Sequence, residues 1–209
     1  EKAFAVLDIA IKADSENLVL QPAKLPVANK LKKYNEVINS GERLLKDDKD
    51  AGVIKDVAKA YYFSKQYQKA IDLFKLLEAL AFQNEATLYY TALSYRALKN
   101  YPQSSIYTKK TIEEGISPNI SSYYALLGLV YQENDQIALA AGAFKKGLQF
   151  DANPTLYYRL AILYDTRLNQ KKTALNYYKL YIKSKPEVKE QKEEIEYTRA
   201  RIAQLVSPN

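Results

Sequence analysis

One spaced signature returns four times along the chain, and it limits what the chain can fold into. Val57-Ala58-x-x-Tyr61 followed by Tyr67-x-x-Ala70-x-x-x-Phe74 is one instance. Leu127-Gly128-x-x-Tyr131 with Ala140-x-x-x-Phe144, and Leu160-Ala161-x-x-Tyr164 with Ala174-x-x-x-Tyr178, are two more. Thr91-Ala92-x-x-Tyr95 with Tyr101-x-x-Ser104 is a weaker fourth. The spacing has a mechanical reason. Where two helices cross, a large side chain would push the backbones apart, so the crossing point takes a small residue. Ala58, Ala92, Gly128 and Ala161 serve one helix of each pair, and Ala70, Ser104, Ala140 and Ala174 serve the other. Tyr61, Tyr95, Tyr131 and Tyr164, three residues after the first small residue, fill the wedge toward the next pair. No pair buries its apolar face alone, so the pairs must stack.

Counted from the small residues, the units run 51–84, 85–120, 121–153 and 154–187. The second carries two extra residues in the turn Ile116-Ser117-Pro118-Asn119, and the last has one extra near Leu168-Asn169-Gln170. Pro154 and Pro186 fall where the second helices should already have ended, because proline cannot continue a helix. A period of about 34 residues that pairs a small residue with an aromatic on each of two helices resembles the tetratricopeptide repeat. The resemblance implies an all-α fold, a right-handed superhelical array of antiparallel helix pairs spanning residues 1–209 as a single domain.

The ends depart from the pattern. Residues 1–16, with Phe4, Leu7, Ala10 and Ala13, read as the second helix of a repeat whose first helix is absent. Residues 18–50 read as a degenerate repeat: Pro22 and Pro26 should interrupt its first helix, and Leu31, Tyr34, Val37 or Ile38, and Leu44 return at helical spacing in the second. Residues 187–206 read as a capping helix, acidic at its start, basic toward its end, with Val188, Ile195, Ile202 and Leu205 on one stripe. A coiled-coil partner helix would need a longer heptad run.

Composition narrows the chemistry. His, Cys, Met and Trp are all absent. Without His there is no Ser-His-Asp triad and no common zinc or iron site, and without Cys no thiol nucleophile or disulfide. No paired carboxylates face each other on first helices as glycosidic cleavage would need. Asp47-Asp48-x-Asp50 has the look of a calcium loop but lacks the carboxylate at the twelfth place, where Ala58 or Lys59 would sit, so it reads as a solvated acidic turn. Neither a cofactor nor a metal is expected, and the reading is non-catalytic. Gly and Pro number only 6 and 7, and no apolar run approaches the ~20 residues a membrane span requires.

There are 19 tyrosines in 209 residues. Tyr61, Tyr67, Tyr95, Tyr101, Tyr124, Tyr131, Tyr157, Tyr164, Tyr178 and Tyr181 fall at core positions of the repeat. The resemblance implies an inner face lined by the first helices at the second, fifth, ninth and twelfth places of each unit. That face then holds Lys55, Lys59 and Tyr62; Ala86, Tyr89, Leu93 and Arg96; Ser122, Ala125, Leu129 and Gln132; and Thr155, Tyr158, Ile162 and Asp165, with Tyr90 and Arg159 adjoining. Tyr and Arg combine contact area with directed hydrogen bonds and often anchor interfaces. A peptide or an extended segment of a protein partner is the ligand this implies; the same side chains would equally serve as packing between neighbouring first helices. A subclass of the family grips a terminal carboxylate with Lys and Asn on one first helix and Lys, Asn and Arg on the next two. Lys55 matches its first place, but Lys59, Tyr90, Ser122 and Leu126 stand in the others, so that clamp is not expected.

The net charge of +7 is uneven. Residues 154–185 carry seven basic groups against Asp165 alone. Arg167, Lys171, Lys172, Lys179, Lys183 and Lys185 form either a solvated helix back or a flank for an acidic partner, anionic lipid or nucleic acid. Three classes follow: an interaction scaffold or adaptor first, a nucleic-acid or anionic-surface binder through the last repeat as the alternative, and an enzyme or its helical domain last. Absent Cys and a missing initiator Met suit a bacterial envelope or periplasmic protein freed from a signal sequence, and a cytoplasmic fragment fits nearly as well.

Overall fold

A computed structural model describes residues 1–14, 17, 19–114 and 117–207. Among them are α-helices and no strand. Contacts divide the chain into two compact units, 1–114 and 115–209, where the sequence is read as one array. Ser15, Glu16 and Leu18, at the first expected boundary, and Ile116, in the expected longer turn, lie outside the described residues.

The first unit holds α1 (Lys2–Ala13), α2 (Leu20–Lys30), α3 (Tyr34–Asp47), α4 (Ala51–Phe63), α5 (Tyr67–Ala79), α6 (Glu85–Ala97) and α7 (Tyr101–Glu113). The interruption expected around Pro22 and Pro26 does not occur, and α2 is a helix with Pro26 inside it. Pro22 sits in the first turn, where its missing N–H has no partner to lose. An interior proline costs about 3 kcal/mol, and tertiary contacts offset it. Leu25 and Ala28 are fully packed, and Lys24 ion-pairs with both Asp8 of α1 and Glu36 of α3. Gly41 on α3 is required by proximity, since a Cβ there would lie 2.1 Å from Val57 Cγ2 of α4.

Helix starts are set by side chains that take the orphan amides. Asp50 accepts from Val53 N at 2.8 Å to open α4, and Asn84 and Thr87 form a reciprocal box at the start of α6. All of Asp47, Asp48 and Asp50 are exposed, and Asp50 is the cap. The α6/α7 pair is unusual inside. Thr91, Ser94, Thr108 and Thr111 are buried, and each hydroxyl donates to the carbonyl four residues back at 2.7–2.8 Å. Ser104 instead donates across the crossing to Ala92 O at 2.9 Å.

The second unit holds α8 (Ile120–Glu133), α9 (Ile137–Gly147), α10 (Pro154–Ile162), a π-helical turn Leu163–Arg167, α11 (Lys171–Lys183) and α12 (Lys192–Val206). Pro154 occupies the first turn of α10, where proline suits a helix start. Gly128 marks the crossing of α8 and α9, because a Cβ there would lie 2.3 Å from Phe144 Cε1. Ala140, Ala161 and Ala174 are likewise fully buried here, as Ala58, Ala70, Ala92 and Ser104 are in the first unit.

The extra residue of the last pair is absorbed by the π-turn. In three pairs the second helix is entered through a backbone bond spanning five residues, Gln66 to Tyr61, Asn100 to Tyr95 and Gln136 to Tyr131, at 2.8–2.9 Å. In the fourth, Gln170 N reaches back six, to Tyr164 O at 2.8 Å, while Leu168 N closes the π-turn on Leu163 O. The left-handed residue of each turn is not glycine: Lys65, Lys99, Asp135 and Asn169 all have φ of 51–61°. The capping helix begins later than expected, at Lys192, and Val188 is exposed, so the buried stripe is Ile195 and Thr198 with Ile202 and Leu205 packed beside the core.

Candidate functional site

In the first unit, α4 and α6 bring most of their predicted inner-face side chains together. The Tyr62 and Tyr90 rings lie 5.1 Å apart, Tyr89 and Tyr90 6.1 Å apart, and Lys59 Nζ stands 5.7 Å over the Tyr90 ring. The spacing is that of offset and edge-on aromatic pairs. Burial is the main cause that raises the pKa of Tyr62, Tyr89 and Tyr90, and the nearby Arg96 guanidinium opposes it at Tyr62 and Tyr89. Lys55, Lys59, Leu93 and Arg96 are half-buried. Tyr90 is also packed against the core of this unit.

Three residues at this site were not anticipated. Phe63 is 45% exposed, stacks on Tyr34 at 5.3 Å and meets Tyr90 at 5.7 Å. Its place directly after Tyr62 was a usable signal. Tyr34 comes from α3, whose register against α4 no motif fixes. Asp56 is a third: it is buried beside Lys55 and Lys59, accepts from Asn29 at 3.4 Å, and has a pKa raised chiefly by burial.

In the second unit, Ser122 is exposed on α8, whereas Ala125, Leu129 and Gln132 are half-buried. On α10, Tyr158 lies 5.2 Å from Tyr181, Arg159 is half-buried, and Thr155 accepts from Gln191 at 3.3 Å. Asp165, assigned to the inner face, is instead turned into the junction of α10, α11 and α12 by the π-turn. Its carboxylate accepts from Arg201 Nε at 2.7 Å and Nη2 at 2.9 Å, from Lys171 Nζ at 2.7 Å and from the Tyr178 hydroxyl at 3.1 Å. The Arg201 hydrogen bond above all holds its pKa far below the usual carboxylate range.

Of the predicted basic flank, Lys171 is thus engaged with Asp165, and Arg167 ion-pairs with Asp135. Lys172, Lys179 and Lys183 are exposed on α11. Among the described residues no group of three or more Asp or Glu could hold a metal ion, and no helix is long and apolar enough to cross a membrane.

A model of the tetratricopeptide repeat matches residues 53–84, the segment that contains α4 and α5. No curated protein matches the chain. Among solved structures, YrrB, a TPR protein described as having an unusual peptide-binding site, is 15% identical; the match covers 87% of this chain and 93% of that one, with a TM-score of 0.71. MamA from Desulfovibrio magneticus RS-1, residue 41 to its end, is 17% identical over 80% of this chain and 96% of that one, also at 0.71. At such identities the likeness is one of fold, and it is to solenoids of paired helices. One unit thus matches the tetratricopeptide repeat as sequence, and the chain shares its fold with solved solenoids of that repeat.

Proposed function

We propose that this protein is a non-catalytic scaffold whose first helices α4 and α6, in repeats 51–84 and 85–120, present an inner face to an extended segment of a protein partner. The observation that carries the reading is the cluster of Tyr62, Phe63, Tyr89 and Tyr90 on α4 and α6, with Lys59 over one ring. Such rings offer broad contact at little entropic cost, and their hydroxyls can bond a peptide backbone. Lys55, Lys59 and Arg96 along the same face favour carbonyl-rich or acidic segments. YrrB, a neighbour in fold, has a peptide-binding site, which is in keeping with this use of the inner face.

Selection from a displayed library of random peptides tests it. Enriched peptides should perturb backbone amide resonances of α4 and α6, and the Tyr89→Ala/Arg96→Ala variant should weaken them at least tenfold with unchanged circular dichroism. Perturbations confined to α5 and α7, or equal binding by the variant, would sink the reading.

A further inference from the structure

A second surface, separate from the inner face, lies on α9 and α11. Between Gln136 and Pro186 the chain has nine basic residues (two of them Arg) and two acidic ones, Asp151 and Asp165. Asp165 is buried, and neither α9 nor α11 contains a carboxylate. Lys145 and Lys146 are exposed on α9, and Lys172, Lys179 and Lys183 lie along one exposed side of α11. The two helices meet through one buried ring, reached from the flank of α11 that Tyr177 occupies and not from its lysine stripe. Lys145 Nζ stands 5.1 Å over Tyr164, and Tyr177 of α11 stacks on the same Tyr164 at 5.6 Å. Among the lysines are exposed aliphatic side chains, Leu139 at 52% and Leu180 at 39%.

We infer that this face docks on anionic phospholipid membranes. Cations free of neighbouring carboxylates are drawn to an acidic headgroup layer, each contributing roughly a fivefold gain in partitioning. Leucines set among them can enter the headgroup boundary, while lysine stems lie flat and keep their ammonium groups in water. Nucleic acid fits less well. Binding a single strand calls for open aromatic faces, and the Tyr177 ring is covered by Tyr164 at an interplanar angle of 7°. Arginine, the better partner of phosphate, is scarce here, and Arg167 is ion-paired with Asp135. The acidic residues that follow α11 gather in Glu187–Glu196, outside both helices.

The test is co-sedimentation of the full chain with phosphatidylcholine vesicles, with and without about 30% phosphatidylserine. Binding should require phosphatidylserine and weaken with salt. Lys172→Gln/Lys179→Gln should lower partitioning roughly 20-fold, and Leu139→Asn/Leu180→Asn about tenfold, all with unchanged circular dichroism. Equal partitioning to both vesicle types, no binding, or indifference to the lysine pair would overturn the proposal. So would tighter binding of a mixed-sequence oligonucleotide that depends on the lysines and not on the leucines, which would give the face to nucleic acid.

Discussion

Removing Arg201 should cost more than removing the carboxylate it holds. Asp165 has a side chain only 2% exposed, whereas Arg201 is 26% exposed and Lys171 48%. Arg201→Ala leaves a buried carboxylate with one half-exposed lysine and the Tyr178 hydroxyl. Breaking a buried pair from one side costs about 3–5 kcal/mol, and the remaining lysine places this case near the lower end, about 3 kcal/mol. Asp165→Ala leaves cations that can turn to water, so about 2 kcal/mol is expected. The double variant should cost less than the sum by about 1 kcal/mol or more. Urea unfolding of the four proteins, followed by circular dichroism, measures all three quantities. The pH dependence supplies an independent sign. Hydrogen bonding depresses the folded-state pKa, so the stabilisation is present above the unfolded value of about 3.9 and is lost as pH falls below it. Arg201→Ala should therefore lose less stability than the parent on acidification. A coupling below about 0.5 kcal/mol, or identical acid sensitivity of parent and variant, would refute the reasoning.

At Gly128, alanine would place a methyl 2.3 Å from Phe144, and a loss of about 1–3 kcal/mol is expected in the same urea assay; a neutral result would mean that α8 and α9 separate freely. Tyr61 and Tyr181 should ionise late in an alkaline absorbance titration, since burial first of all pushes both up to about 12. These are acids with raised folded values, so their neutral forms stabilise the fold below the unfolded value of about 10, and that contribution fades from there to about 12. Tyr61→Phe should remove one phenol from the late-titrating class, and an unchanged late class would count against its burial.

The crossing residues were legible because each answers to a local rule: Ala58, Gly128 and Ala161 are small wherever a partner helix passes. The single extra residue near Leu168 was also countable, but not its effect. Nothing in the sequence says that a π-turn would absorb it and carry Asp165 to Arg201, which lies 36 residues away. Proline misled at α2, where packing of Leu25 and Ala28 outweighs a local penalty. Tyr107 and Tyr123 are buried without occupying a signature position, since core membership there depends on which neighbour arrives. The candidate site was half visible. Tyr62, Tyr89 and Arg96 follow from repeat places, whereas Tyr34 joins through a tertiary stack with no sequence period behind it.

The hydroxyl-lined α6/α7 pair gives that part of the chain a different response to temperature. Where neighbouring pairs bury methyl and ring carbons, this one buries oxygens whose bonds mostly return to their own helices. Such bonds hold each helix in shape but do little to hold one helix to the other. Less apolar area leaves water when the pair closes, so its opening has a smaller heat-capacity change and a flatter stability curve than that of α4/α5. The helix bearing Tyr89, Tyr90 and Arg96 is thus moored on one side by a weakly temperature-sensitive seam and on the other by the rings of α4.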